Sequence, residues 1–221
     1  MFYTIQLCYE MVKKELIILI CLLSSFSCAS QKKEVIAKST IKLEGGNTNI
    51  RDLIEIDGYY ADSIYRKYGS YIFFEDGTWV YFHFKGESTN NEIKSNLSKT
   101  IVTWKEGKQI LWGGNWGVYA IRDDTIIIHS YDKPALLKGW SLDEIRFKII
   151  DREAIKAVYF RSILKSADDY YKTHSPWKNG ELKHFTSADS LPSSDNWLKE
   201  HKWIWRNESD WKNYMQKIKK K

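Results

Sequence analysis

Five histidines, His83, His129, His174, His184 and His201, are the side chains best suited to hold a metal or move a proton near neutral pH. His83 and His129 stand on the second runs of two hairpin-like segments. On inward faces of one sheet they could meet, but no third ligand accompanies them, and no metal is expected. Asp123-Asp124 and Asp168-Asp169 are adjacent carboxylates. Neighbouring residues of a strand point to opposite faces, so Asp123-Asp124 suits a turn better than shared acid–base work. Asp168-Asp169 runs into Tyr170-Tyr171 in a polar stretch and has no partner to assign. Gly113-Gly114-Asn115, between Trp112 and Trp116, lacks the lysine and the following helix of a phosphate loop and reads as a tight loop. The nucleophile elbow, the zinc helix and the dinucleotide fingerprint are all missing. The three cysteines are Cys8, Cys21 and Cys28. Later residues therefore offer no internal disulfide, thiolate metal site or catalytic cysteine. No cofactor is expected, and the chain reads as a non-enzyme.

What remains is recognition by aromatic surfaces. The 221 residues include 14 Tyr and 10 Trp, and aromatics make up 15% of the chain. Flat rings stack on sugars and cover acyl chains, which makes Trp79, Trp112, Trp116, Tyr119 and Trp140 the candidate ligand-binding residues. Trp112, Trp116 and Trp140 each neighbour a glycine and are expected near loops. The competing reading is core packing and cross-strand pairing, the commoner use of Trp and Tyr in sheets. The net charge of +6 is spread along the chain. With no basic helix or aromatic-basic signature, nucleic acid is not an expected partner.

The elements that must position these rings are strands. Tyr71–Phe84 is an apolar run, an Asp76-Gly77 turn and a second run. Val118–Tyr131 repeats the form around Asp123-Asp124, and Ile145–Phe160 repeats it around Asp151. Arg146 and Lys148 alternate with Phe147 and Ile149, as on a half-buried strand. Asp52–Gly58 and Ile101–Leu111 are expected to add further strands. Serial hairpins without helical pattern between them imply an antiparallel meander, and about eight strands close well into a barrel. A β-sandwich is the alternative. The polar stretch after Leu164 reads as a loop leading to a Trp-rich extension. There Asn207-Glu208-Ser209-Asp210 looks like a helix start, and Trp211, Tyr214 or Met215, and Ile218 share one helix face. That face is expected to pack on the barrel or across one mouth. The terminal lysines suit a helix carboxyl end, and could also touch anionic headgroups.

The amino terminus carries a different signal. Lys13-Lys14, the apolar run Leu16–Leu23 and Ser24-Ser25-Phe26-Ser27-Cys28 follow the basic, apolar, small-residue order of a secretory signal. The apolar run is shorter than the ~20 residues that span a bilayer. Met11 is the expected true start. The segment resembles a bacterial lipoprotein signal, with Ser27 as the small residue before the cysteine. That resemblance implies cleavage before Cys28 and lipid attachment to it. With no aspartate after Cys28, it further implies the outer membrane of a bacterial envelope. Residues 1–28 are thus expected to be a signal peptide and 29–50 a flexible tether. Residues 51–165 are expected to form the barrel, and 166–221 the loop and helical extension.

The meander resembles the lipocalin-like domains of small bacterial lipoproteins. The likeness is carried by Gly58-Tyr59-Tyr60, Trp116-Gly117-Val118-Tyr119 and the hairpin at Asp123–Ile126. Gly58-Tyr59-Tyr60 stands where lipocalins have Gly-x-Trp. The resemblance implies a lipid-anchored envelope protein holding a small apolar ligand or a glycan. The alternative is a non-catalytic structural lipoprotein that meets an envelope protein partner.

Overall fold

The computed structural model describes residues 30–62, 70–82, 115–132, 139–164, 180, 182–188 and 191–219. Eight antiparallel strands follow one another around a closed barrel. They are β1 (Gly58–Asp62), β2 (Ser70–Phe73), β3 (Thr78–Phe82), β4 (Asn115–Arg122), β5 (Thr125–Tyr131), β6 (Asp143–Asp151), β7 (Ala154–Ser162) and β8 (Leu182–Ser187). Closure comes from β1 against β8, in register from Gly58↔Ser187 to Asp62↔Lys183. A closed ring leaves no open sheet edge, which decides between the barrel and the sandwich in favour of the barrel.

The three expected hairpins form where turn chemistry places them. Gly77 has φ +86°, a value that costs glycine little, and the Asp76 carboxylate accepts from the Thr78 amide at 3.0 Å. Asp123 takes φ +53° in the two-residue link between Arg122 and Thr125, a conformation aspartate tolerates better than most residues. The Glu153 amide donates to the Asp151 carboxylate at 2.8 Å and closes the third turn.

All three turns lie at one end of the barrel, and the chain before β1 plugs that end. Residues 52–58, expected as a strand, instead follow a 3₁₀ turn (Ile50–Asp52) and insert Ile54 and Ile56 beneath the sheet. Two arginines clamp the plug. Arg152 donates to Glu55 through Nε (2.9 Å) and Nη2 (2.7 Å) and to the carbonyls of Asp52 and Arg51. Arg51 grips Asp57 with both Nη atoms (2.6 and 2.9 Å) and Glu75 with Nε (2.7 Å). The Tyr60 hydroxyl donates to the carbonyls of Glu55 (2.9 Å) and Arg152 (3.0 Å), joining plug and turn from inside.

Two expectations fail here. Residues 30–50 are not a tether. A helix, α1, covers 30–38 with Val35 fully buried, and Ile41 and Leu43 sink into a second core on the barrel's outer wall. The segment then runs the height of the barrel. Ser39 Oγ meets Tyr131 Oη (2.5 Å) at the far end, and the Thr48 amide donates to Glu75 O (2.8 Å) at the plugged end. The polar stretch after Leu164 is not wholly loop either, because β8 lies within it. The barrel therefore runs to Ser187, beyond the expected limit at 165. Ile101–Leu111 lies outside the described residues.

The carboxyl-terminal helix, α2 (Glu208–Lys219), starts directly after Asn207 as expected. It rests on the 197–205 segment: Trp211 Nε1 donates to Glu200 O (2.9 Å), and the Tyr214 ring tilts against Trp205 at 5.5 Å. That segment itself covers the barrel's outer wall. Trp197, Trp203 and Trp205 pack in the core that contains Val118, Tyr131 and Leu142. A parallel bridge between Leu43 and Trp205 ties it to the amino-terminal strap.

Candidate functional site

The inward row of the barrel is aromatic. Tyr71 stacks on Trp79 (5.8 Å, 16°) and meets Phe147 edge-on (5.1 Å, 69°). Phe73 meets Tyr119 (5.7 Å, 82°), Phe147 (6.4 Å, 89°) and Tyr60 (6.0 Å, 74°) edge-on. Edge-to-face pairs at these separations are favourable beyond their buried area. Trp79 reaches across the sheet to its register partner Gly117, where any Cβ would collide with the indole Nε1. Tyr119 ends at the plug, its hydroxyl donating to Phe74 O (2.6 Å) and accepting from Thr48 Oγ1 (2.7 Å). Burial, opposed in part by that hydrogen bond, pushes its phenol well above the usual range. Burial likewise raises Tyr81 to about 12.

Burial is densest mid-barrel and falls off toward both ends: Ile121, Ile149 and Phe185 near the hairpin turns are partly buried, as are Tyr81 and Phe160 toward the other end. On β2, exposure rises from 1% at Phe73 to 3% at Tyr71. On β3 it rises from 1% at Trp79 to half-buried at Tyr81, and on β6 from nil at Phe147 to 5% at Ile145. On β7, Ala157 is sealed and Phe160 is half-buried. Lys183, in register with Ile155 and two residues from the inward Phe185, brings a buried lysine side chain to the same wall.

The five candidate aromatics do not form one platform. Trp79 and Tyr119 belong to the interior cluster. Trp116 faces outward, stacks on Phe74 (5.8 Å, 20°), and packs with Tyr59, Ile72, Val80 and Trp197. Trp140 is also outside, ringed by Trp197, His201 and Trp203 at about 6 Å. Trp112 lies outside the described residues, as do His83 and Asp168-Asp169. For Trp116 and Trp140 the packing reading wins, because covering segments turn the outer wall into a second core.

His129 also faces outward, not into the barrel. It stands in register with Val118 and Glu144 and lines a hollow of about 490 Å³ under the end of α1. Lys38, Thr40, Glu144 and Arg161 share the hollow. Glu144 accepts from Arg146 (2.7 Å) and sits 3.8 Å from Arg161. His129 is 2% exposed, and its Nδ1 has no hydrogen-bond partner among the described residues. Burial depresses its pKa to about 4 against the opposing pull of Glu144, so the imidazole is neutral at physiological pH. Among the described residues no three His, Cys, Asp or Glu side chains gather as metal ligands.

One constellation was not anticipated from the sequence. Lys199 Nζ lies 2.9 Å from Ser194 Oγ and 2.5 Å from Asp76 Oδ2, and Ser194 also donates to Asp76 (2.6 Å). A serine beside a lysine is nucleophilic only where the lysine is neutral. Here the same Nζ is engaged by the Asp76 carboxylate as well as by the serine. Burial raises the Asp76 pKa, but Lys199, Ser194 and Thr78 more than offset this and leave it below the ordinary value. The trio is a staple that pins the 191–200 segment to the β2–β3 turn. Asp76 carries a turn signal in the sequence, and nothing local marks its partners more than a hundred residues later.

Comparison with protein-family models, with curated proteins and with solved structures returns no match.

Proposed function

We propose that this chain is a lipid-anchored envelope protein whose lipocalin-like barrel binds a small apolar ligand in its aromatic interior. The supporting observation is that interior's lining. Phe73, Trp79 and Phe147 are sealed against one another, whereas Tyr81 and Phe160 toward the far end, and Phe185 nearer the plug, are only partly buried. A closed wall with a partly buried aromatic lining suits an apolar guest better than a catalytic reaction.

The test is mass spectrometry of the full protein extracted from its own membrane, before and after denaturation. A stoichiometric small molecule released on denaturation supports the reading and gives its chemical class. Repeated absence of such a molecule, together with no saturable uptake of an apolar dye, overturns it. A second reading, docking of an envelope protein, draws on Val158 (48% exposed) and Leu182 (38%) on β7 and β8. Co-purification of one partner that is lost on Val158→Ser would favour that reading.

A further inference from the structure

We infer, resting on the reading that Cys28 carries lipid, that the barrel stands end-on against an anionic bilayer, with α1 and the end opposite the plug at the lipid surface. The argument begins with chain length. A 22-residue tether would reach roughly 70 Å from the membrane and leave orientation open. But residue 30, two residues after Cys28 and a reach of about 7 Å at most, is already helical and packed on the barrel's wall through α1.

The position of α1 then selects the end. The Gln31 side chain lies against Gly139, and Lys32 Nζ sits 5.5 Å from the Trp140 ring, both just before β6. Lys38 Nζ donates to Ile163 O (3.2 Å), just past β7, and Ser39 meets Tyr131 at the close of β5. Every one of these contacts is at the end opposite the hairpin turns. The plug, joined through the 41–48 strap, is at the other.

Charge agrees with geometry. Helix α1 brings Lys32, Lys33 and Lys38 to the anchored end against a single acid of its own, Glu34, while Asp132, Asp143 and Glu144 at that end stand with Arg146 and Arg161, both of which pair with Glu144. The turn end carries Asp52, Glu55, Asp57, Glu75, Asp76, Asp123, Asp124, Asp151 and Glu153 against Arg51, Arg122, Lys148, Arg152 and Lys199. An anionic headgroup surface attracts the first set and repels the second. An apolar ligand could then pass between bilayer and barrel without crossing bulk water.

The absence of cysteine after Cys28 makes the test direct. Single Lys33→Cys and Asp123→Cys variants of the full protein are expressed in a lipid-attaching bacterial host, and the mature protein is labelled. The labelled protein is then placed in vesicles of phosphatidylcholine and phosphatidylglycerol, and energy transfer to a headgroup dye is measured. Strands of nine residues, tilted about 40°, give a barrel about 23 Å tall. The Lys33→Cys label is expected within about 10 Å of the headgroups, and the Asp123→Cys label about 20 Å farther out. Equal or reversed distances on lipid-bearing protein overturn the orientation and leave the anchor standing. The intact mass of the same sample reads the lipid separately, and a mature protein without lipid overturns both.

Discussion

His129 offers a prediction whose size follows from its surroundings. It is almost fully buried on the outer wall, and its pKa is depressed to about 4. In the unfolded chain it returns to about 6.5. Between these values the unfolded state binds the proton and the folded state does not. Stability therefore rises with pH across this window and is lost as pH falls from 6.5 toward 4. For a single site the loss between pH 7.5 and pH 5 is about 2 kcal/mol, growing to about 3 kcal/mol at pH 4. The groups facing the imidazole are Glu144, Lys42 and Arg161. Glu144 favours the charged form, and the two cations oppose it. The assay is urea unfolding at pH 7.5, 6, 5 and 4, followed by tryptophan fluorescence, for the parent and His129→Gln. The absolute stability of the variant is immaterial. The parent-minus-variant difference should shrink by about 2 kcal/mol between pH 7.5 and 5. A difference that is flat across that range would show that His129 is solvated or paired in the folded protein, and the burial argument would fail.

Other expectations are as direct. Gly117→Ala forces a Cβ into both the Trp79 indole and the His129 carbonyl and should cost about 1–3 kcal/mol with a shifted Trp emission, read by thermal melting and fluorescence. Lys199→Met strands the Asp76 carboxylate and should cost about 1–3 kcal/mol in urea titrations, less than a fully buried pair because Asp76 keeps 38% of its side chain exposed. Adding Asp76→Asn should recover part of that loss, and a purely additive double variant would count against the staple. The depressed Asp76 carboxyl also contributes stability above its unfolded pKa of about 4, lost as pH falls through its lower folded value. Ile54→Ala in the plug should cost about 2–4 kcal/mol. Deleting residues 29–43 should lower the melting temperature sharply if they are a packed strap, whereas removing a tether would leave it unchanged.

Recognition of the hairpins depended only on near neighbours. Asp76-Gly77, Asp123-Asp124 and Asp151 to Glu153 turn the chain within a few residues, and the flanking β-branched and aromatic runs pair across those turns. Three of the turns, six of the strands, the meander order and the start of α2 were legible for that reason. The direction of each side chain was not. On β2 all four residues are buried, because outward Ile72 is covered by Ala188, Leu191 and Trp197 where a bare barrel would meet water. With both faces buried, period-two alternation disappears. Inward Trp79 and outward Trp116 then look alike, so the proposed aromatic platform mixed the two. Strand β8 hid for a related reason. Leu182–Ser187 is polar and has no local partner, and its ladder with β1 joins residues more than a hundred positions apart. Residues 30–48 look like a tether because their apolar contacts, Val35, Ile41 and Leu43, are too sparse to show a period and are buried only by distant elements. Local turn chemistry thus sufficed for the meander. Which residues face inward, where the barrel closes and how the amino terminus lies along it were decided by long-range burial, which no local pattern encodes.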